Sequence, residues 1–184
     1  KLLYHRIVPN TCSCKHSANT FFPQCPPPLI MASWAPLSTY DVFEMLIKRG
    51  ESVNIIDSNG VSAIHYVANR KDVDHLKLLI QNGADMNVKN KRTRQTPIEI
   101  ACGACRFENA TFLLLAGANV SPRGFTKRNL IHDICSNYRI YESTMYMQNA
   151  IKFIRLLLIR HLFIDSVELV KSNTPLHFAL QHDN

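Results

Sequence analysis

An all-α solenoid of stacked helix pairs is the fold class this sequence predicts, and three observations predict it. A seven-residue peptide recurs. Asn173-Thr174-Pro175-Leu176-His177-Phe178-Ala179 appears in worn form as Gln95-Thr96-Pro97-Ile98-Glu99-Ile100-Ala101 and as Val61-Ser62-Ala63-Ile64-His65-Tyr66-Val67. Glycines that close hydrophobic stretches measure the step: Gly50, Gly83 and Gly117 stand 33 and 34 residues apart (83 − 50 and 117 − 83). Between these landmarks the apolar residues follow a helical stripe, as at Val73, Leu76, Leu79 and Ile80, rather than strict alternation. Self-similarity at a period of this length means modules that bury their apolar sides only against neighbours in a row.

Composition agrees and narrows the class. The chain has 184 residues, a formal charge of +7 and 46% hydrophobic residues with only 6 Gly, which is globular rather than low-complexity. No apolar run approaches the roughly 18 residues of a membrane span. The richest, Ala150 to Ile164, is broken by Lys152, Arg155, Arg160 and His161 and reads as a buried helix. Residue 1 is Lys, with no charged head and apolar stretch of signal type behind it, so either the start has been removed or upstream sequence is missing. Of six cysteines, Cys12, Cys14 and Cys25 lie in the irregular head, and Cys102, Cys105 and Cys135 lie inside the repeats. That distribution fits a reducing compartment, cytoplasm or nucleus, better than a disulfide framework.

The elements follow in order. Residues 1–36 carry Pro9, Pro23, Pro26, Pro27, Pro28 and Pro36, with Lys1, Arg6 and Lys15 and no acid, and are expected to form a disordered head. Met31, close to where the pattern begins, raises the thought that the first thirty residues are foreign to the natural protein. The repeat domain is placed at 37–184. It opens with an outer-helix half repeat, 37–57, in which Asp41 to Ile47 ends at Lys48-Arg49-Gly50, cations in the last turn before a glycine stop. In the repeat at about 58–90, Ser62 caps one helix through Tyr66 and a second runs Val73 to Asn82. In 91–124, Thr96 caps and Pro97 takes the first helical position, and the pair ends near Phe112 to Asn119.

In 125–169 the motif has decayed to Asn129-Leu130-Ile131-His132. From Ile131 to Leu176 is 45 residues, about twelve beyond the period. The excess falls near 138–148, as a loop or an extended helix bearing Tyr138, Tyr141 and Tyr146, with the outer helix delayed to about Ala150 to Ile159. An incomplete repeat, 170–184, offers an inner helix from Thr174 to Leu180 without an outer partner, which reads as a truncated array or one dependent on a further segment.

A Thr-Pro-Leu-His tetrapeptide recurring at this period resembles the ankyrin repeat. The resemblance covers about 37–184 and is strongest at Thr174 to Ala179, Thr96 to Ala101 and Leu79 to Asn87. It implies an ankyrin-repeat solenoid: antiparallel helix pairs with hairpin loops projecting at right angles, partners being held by hairpin tips and inner helices. It also implies that His65, His132 and His177 tie hairpin backbone of adjacent units, while Glu99 replaces the histidine in one unit and either loses that bond or remakes it through its carboxylate. Leu79, Asp85, Met86, Asn87 and Val88 look like the spacing that asparaginyl hydroxylases recognise in such repeats, which marks Asn87 as a hydroxylation candidate. Asn54 is a weaker copy without the acid.

Reactive chemistry finds little footing in the residues. Cys102-Gly103-Ala104-Cys105 is a Cys-x-x-Cys outside the strand-to-helix setting a redox pair needs, and Cys102 falls where a small buried residue ends a helix. Cys12, Cys14, His16 and Cys25 match no standard zinc spacing. There is no phosphate loop and no nucleophile elbow. Asn109-Ala110-Thr111 and Asn119-Val120-Ser121 have the glycosylation form without the secretory context that would use it. No catalytic residue, cofactor, metal or small-molecule substrate is therefore assigned.

Charge on the hairpins is uneven. Val88 to Gln95 carries Lys89, Lys91, Arg92 and Arg94 and no acid, and Ser121 to Arg128 carries Arg123, Lys127 and Arg128 with Phe125 as an apolar anchor. Stacking would bring these tips side by side as an electropositive ridge that steers an acidic partner protein. The expected function is a non-enzymatic adaptor or scaffold. The alternative is a regulatory docking segment of a larger enzyme, channel or ubiquitin-ligase adaptor. Nucleic acid ranks below both, because the ridge lacks interleaved aromatics and a helix shaped for a groove.

Overall fold

The computed structural model describes residues 26–35, 40–120, 129–140 and 142–159. The head before residue 26 with its three cysteines, the hairpin 121–128 and everything from residue 160 onward, including His177 and the last repeat, lie outside the described residues.

Inner and outer helices alternate along the chain. Helix α1, Pro28–Trp34, is followed by α2, Tyr40–Lys48; α3, Ala63–Ala68, by α4, Asp74–Gln81; and α5, Pro97–Gly103, by α6, Phe107–Leu115. Helix α7, Leu130–Cys135, leads through a 3-10 turn, Tyr138–Ile140, to α8, Thr144–Ile159. The inner helices stack as α1, α3, α5 and α7, each of the first three backs onto its own outer helix, and α2 packs on α4 as α6 packs on α8. One continuous core runs through the stack, with Leu29, Phe43, Ile64, Leu76, Ile98, Leu113, Ile131 and Phe153 all buried.

The local signals act as read. Gly83 sits at φ 82°, its N–H donates to Ile80 O at 3.0 Å, and the Ala84 N–H donates to Leu79 O at 3.0 Å. This is the glycine C-terminal motif that satisfies the last helical carbonyls, and Gly50 and Gly117 repeat it. Thr96 stands at the N-cap of α5 with Pro97 first in the helix, and the Glu99 carboxylate accepts from the Thr96 N–H at 2.9 Å.

Two expectations change. Residues 28–34, placed in a disordered head, form α1, with Leu29 and Ala32 fully buried and Met31 only 6% exposed. The supposed half repeat 37–57 therefore has its inner helix. Proline in the first helical turn removes an N–H that has no intrahelical partner anyway, so the run Pro26-Pro27-Pro28 starts a helix instead of preventing one. The other concerns the insertion: α8 begins at Thr144 rather than near Ala150, so much of the excess is an added turn and a half of helix after the 3-10 turn. Ala150, Phe153 and Leu157 form its buried stripe, Phe153 meets Phe107 with ring centroids 5.9 Å apart, and Tyr146 packs half-buried at the core edge.

Polar side chains join one unit to the next at the helix ends. Asn109 is 1% exposed, and its Nδ2 donates to Val67 O, Ala68 O and Arg70 O at 3.3, 3.2 and 2.9 Å, closing the C-terminal end of α3. Asn137 does the same for α5 through Gly103 O at 3.0 Å. Among the described residues no helix is long and apolar enough to cross a membrane.

Candidate partner-binding surface

The hairpins are built on short side chains that fold back on their own backbone. In the second hairpin the Asp57 Oδ1 accepts from the N–H groups of Asn59 and Val61 at 2.8 and 2.9 Å, and the turn closes with Gly60 N–H to Asp57 O at 2.9 Å. Its other oxygen takes the Tyr66 hydroxyl at 2.8 Å. Burial, aided by that bond to a carboxylate, pushes the Tyr66 hydroxyl up to about 12.

The third hairpin uses the same device with one more residue. Asp57 N–H meets Val61 O and Gly60 N–H meets Asp57 O, while Asn90 N–H meets Gln95 O and Arg94 N–H meets Asn90 O. Arg94 thus takes the seat that glycine holds one hairpin earlier, at φ 58° against 70° for Gly60. The loop is further fixed by Asn90 Oδ1, which accepts from both the N–H and the hydroxyl of Thr93. Adjacent tips touch through Lys91 N–H to Asn59 O at 3.2 Å, and the stem of Lys91 covers the face of Gly60 where a Cβ would stand.

Longer side-chain bonds tie hairpin to hairpin. His65 is buried; its Nδ1 accepts from the Ser62 N–H at 3.1 Å, and its Nε2–H reaches Val88 O at 3.1 Å and Gln95 O at 3.2 Å. Burial holds this imidazole below its ordinary value of 6.5, against the opposing pull of those carbonyls and of Asp57 and Asp85. Asn54, ahead of the second hairpin, joins the chain leading into the third by donating to Gly83 O at 3.0 Å and accepting from Asp85 N–H at 2.8 Å. Asn87 repeats half of this, its Oδ1 accepting from Asn119 N–H at 2.7 Å. Glu99 caps its own helix, and His132 is fully buried with Nδ1 accepting from the Asn129 N–H at 3.2 Å.

Lys89, Lys91, Arg92 and Arg94 are all exposed, and none forms an ion pair with a described carboxylate. Arg123, Phe125, Lys127 and Arg128 lie outside the described residues. Between the second and third tips and the inner helices α3 and α5 runs a cleft of about 410 Å³, with Asn59, Asn69, Tyr66, Arg92, Thr93 and Gln95 on its walls. Sequence reading missed this cleft, and it missed α1. A signal for α1 was present: Pro28, Leu29 and Ala32 keep the register of Pro97, Ile98 and Ala101.

Cys102, Cys105 and Cys135 behave as packing groups. Cys102 and Cys105 are buried, and burial pushes the thiols of Cys105 and Cys135 up, away from the reactive thiolate. Among the described residues no three metal-binding side chains come together.

Comparison with known proteins agrees with this architecture. A family model for ankyrin repeats, in three copies, matches residues 29–123, about half of the chain, so the chain belongs to the ankyrin repeat family, a family of protein-interaction modules. Among curated relatives, protein PhlB of Serratia liquefaciens is 37% identical over 92 residues, 50% of this chain and 40% of its own length. Human neurogenic locus notch homolog protein 1 is 38% identical over 74 residues, 40% of this chain and 3% of its own. The NF-kappa-B inhibitor cactus of Drosophila yakuba is 32% identical over 62 residues, 34% of this chain and 13% of its own. The chain spans less than half the length of each of these relatives.

Proposed function

We propose that the chain is a non-enzymatic adaptor or scaffold that holds a partner protein with an acidic surface against its hairpin tips and inner helices. One observation carries the reading: the third hairpin presents Lys89, Lys91, Arg92 and Arg94 on a loop fixed by its own hydrogen bonds. Charges held on a stiff loop lose little freedom on binding and steer an oppositely charged partner. In sequence the ridge continues through Arg123, Phe125, Lys127 and Arg128 of the next hairpin. One relative is by name an inhibitor of NF-kappa-B, which supports a protein as the thing bound.

Charge reversal at Lys89, Lys91 and Arg94, with capture of the natural partner at low and moderate salt, tests the ridge. Capture weakens at least tenfold at low salt if the ridge steers it. Unchanged capture removes the ridge from the interface. A docking role inside a larger enzyme, channel or ubiquitin-ligase adaptor would use the same surface.

Asn87 is proposed as a hydroxylation acceptor. Asn87 is exposed, and among the described residues its side chain accepts one hydrogen bond, from the Asn119 N–H at Oδ1. Intact mass after incubation with an asparaginyl hydroxylase gains one oxygen in the wild type and none in Asn87→Ala. A gain retained in that variant places the modification elsewhere.

A further inference from the structure

The cleft between the second and third hairpins has the chemistry of a slot for extended peptide, which deepens the partner reading above and rests on it. Three of its lining side chains, Asn59, Asn69 and Arg92, are exposed and make no side-chain hydrogen bond within the described residues. A primary amide offers donors and an acceptor together, so Asn59 and Asn69 can each bond the N–H and C=O of a passing backbone. A guanidinium offers a planar fork of donors that fits a carboxylate. Among the described residues, the only aromatic hydroxyl on the wall, Tyr66, is already committed to Asp57, and no pair of open aromatic faces lines the cleft for base stacking.

The shape of the third tip supports the same conclusion. Arg94 occupies a left-handed position that glycine fills in the neighbouring hairpin, and the added residue lets Arg92 stand on the cleft wall while Lys91 is drawn over Gly60. Strain of this kind persists where the surroundings over-determine the conformation, and binding loops are where it concentrates.

We propose that this cleft binds an extended acidic segment of the partner protein, with Asn59 and Asn69 bonding its backbone and Arg92 holding one Asp or Glu carboxylate.

The test uses the full chain and a fluorescein-labelled peptide of alternating glutamate and serine, followed by anisotropy at two salt concentrations. Its companions are the same peptide with glutamine for glutamate, the same peptide with phosphoserine for serine, and a labelled single-stranded oligothymidylate. Arg92→Gln, which alters an exposed side chain, weakens the glutamate peptide about tenfold and leaves the glutamine peptide unchanged. Asn59→Ala with Asn69→Ala weakens both. Lys152→Gln, a cation on the outer helix α8, changes neither. The assignment is overturned if Arg92→Gln and Lys152→Gln act alike, if the glutamine peptide binds as well as the glutamate one, or if the phosphopeptide or the oligothymidylate binds more than tenfold tighter. Such a failure is distinguishable from failure of the ridge, because Lys89, Lys91 and Arg94 do not line the cleft and their charge reversal is read on the natural partner.

Discussion

At the scale of single residues, the units are coupled by a few buried or short polar side chains, and removing them has a calculable sign. His65→Leu leaves Val88 O, Gln95 O and the Ser62 N–H without their partner, and should lower the unfolding free energy by about 2–4 kcal/mol. The same histidine sets a pH dependence. Its folded value lies below 6.5, so the unfolded chain takes the proton first as pH falls. Its contribution is whole above pH 6.5 and is lost as pH drops through the lowered folded value, a slope that denaturant titrations should show in the wild type and not in His65→Leu. Asn54→Ala removes two inter-hairpin bonds where Asn87→Ala removes one, so the expected losses are about 1–2 and about 1 kcal/mol. Arg94→Gly runs the other way: relieving a left-handed arginine should raise stability by about 1 kcal/mol while weakening capture of the partner. A variant that gained stability and kept full binding would remove Arg94 from the interface.

At the scale of elements, α1 is the decisive case. It buries Leu29 completely against a stack that also contains Ile64, so Leu29→Ala should cost about 2–4 kcal/mol by loss of transfer energy and the cavity left behind. Little change in the denaturant midpoint would return residues 28–34 to the head in which their prolines first placed them. That misplacement shows what was legible and what was not. Helix ends marked by Gly50, Gly83 and Gly117, and starts marked by Ser62 and Thr96, were readable because each residue meets a local backbone need. Helix α1 was hidden because three prolines argue against helix everywhere except in the first turn, and the Pro28, Leu29, Ala32 register carries only three matching positions. The start of α8 was ambiguous for another reason: Thr144 to Asn149 has no apolar stripe of its own and becomes helical as an extension of the packed segment after Ala150. In the candidate site, the basic tip was legible from charge alone. The cleft was not, since Asn59 and Asn69 look like ordinary turn and loop residues until the stack places them on the walls of one cleft with Arg92.

At the scale of the whole molecule, the stack is a one-dimensional array in which each unit is stabilised by the neighbours it touches. The inner helices α3 and α5 have inner-helix neighbours on both sides among the described residues, and the polar ties from His65, Asn109 and Asn137 all cross the junctions around them. Stability should therefore peak in the middle. Amide hydrogen exchange should be slowest in α3 and α5, and a cavity placed by Ile98→Ala should speed exchange in the units on both sides of it. Leu29→Ala, by contrast, should loosen α1 and α2 first and leave α7 near its wild-type rate, because α1 packs chiefly on α2 and α3. If both variants sped exchange uniformly from α1 to α8, the described residues would be unfolding as a single cooperative block, and the partner's hold on the third hairpin would then stabilise every unit equally instead of chiefly those beside it.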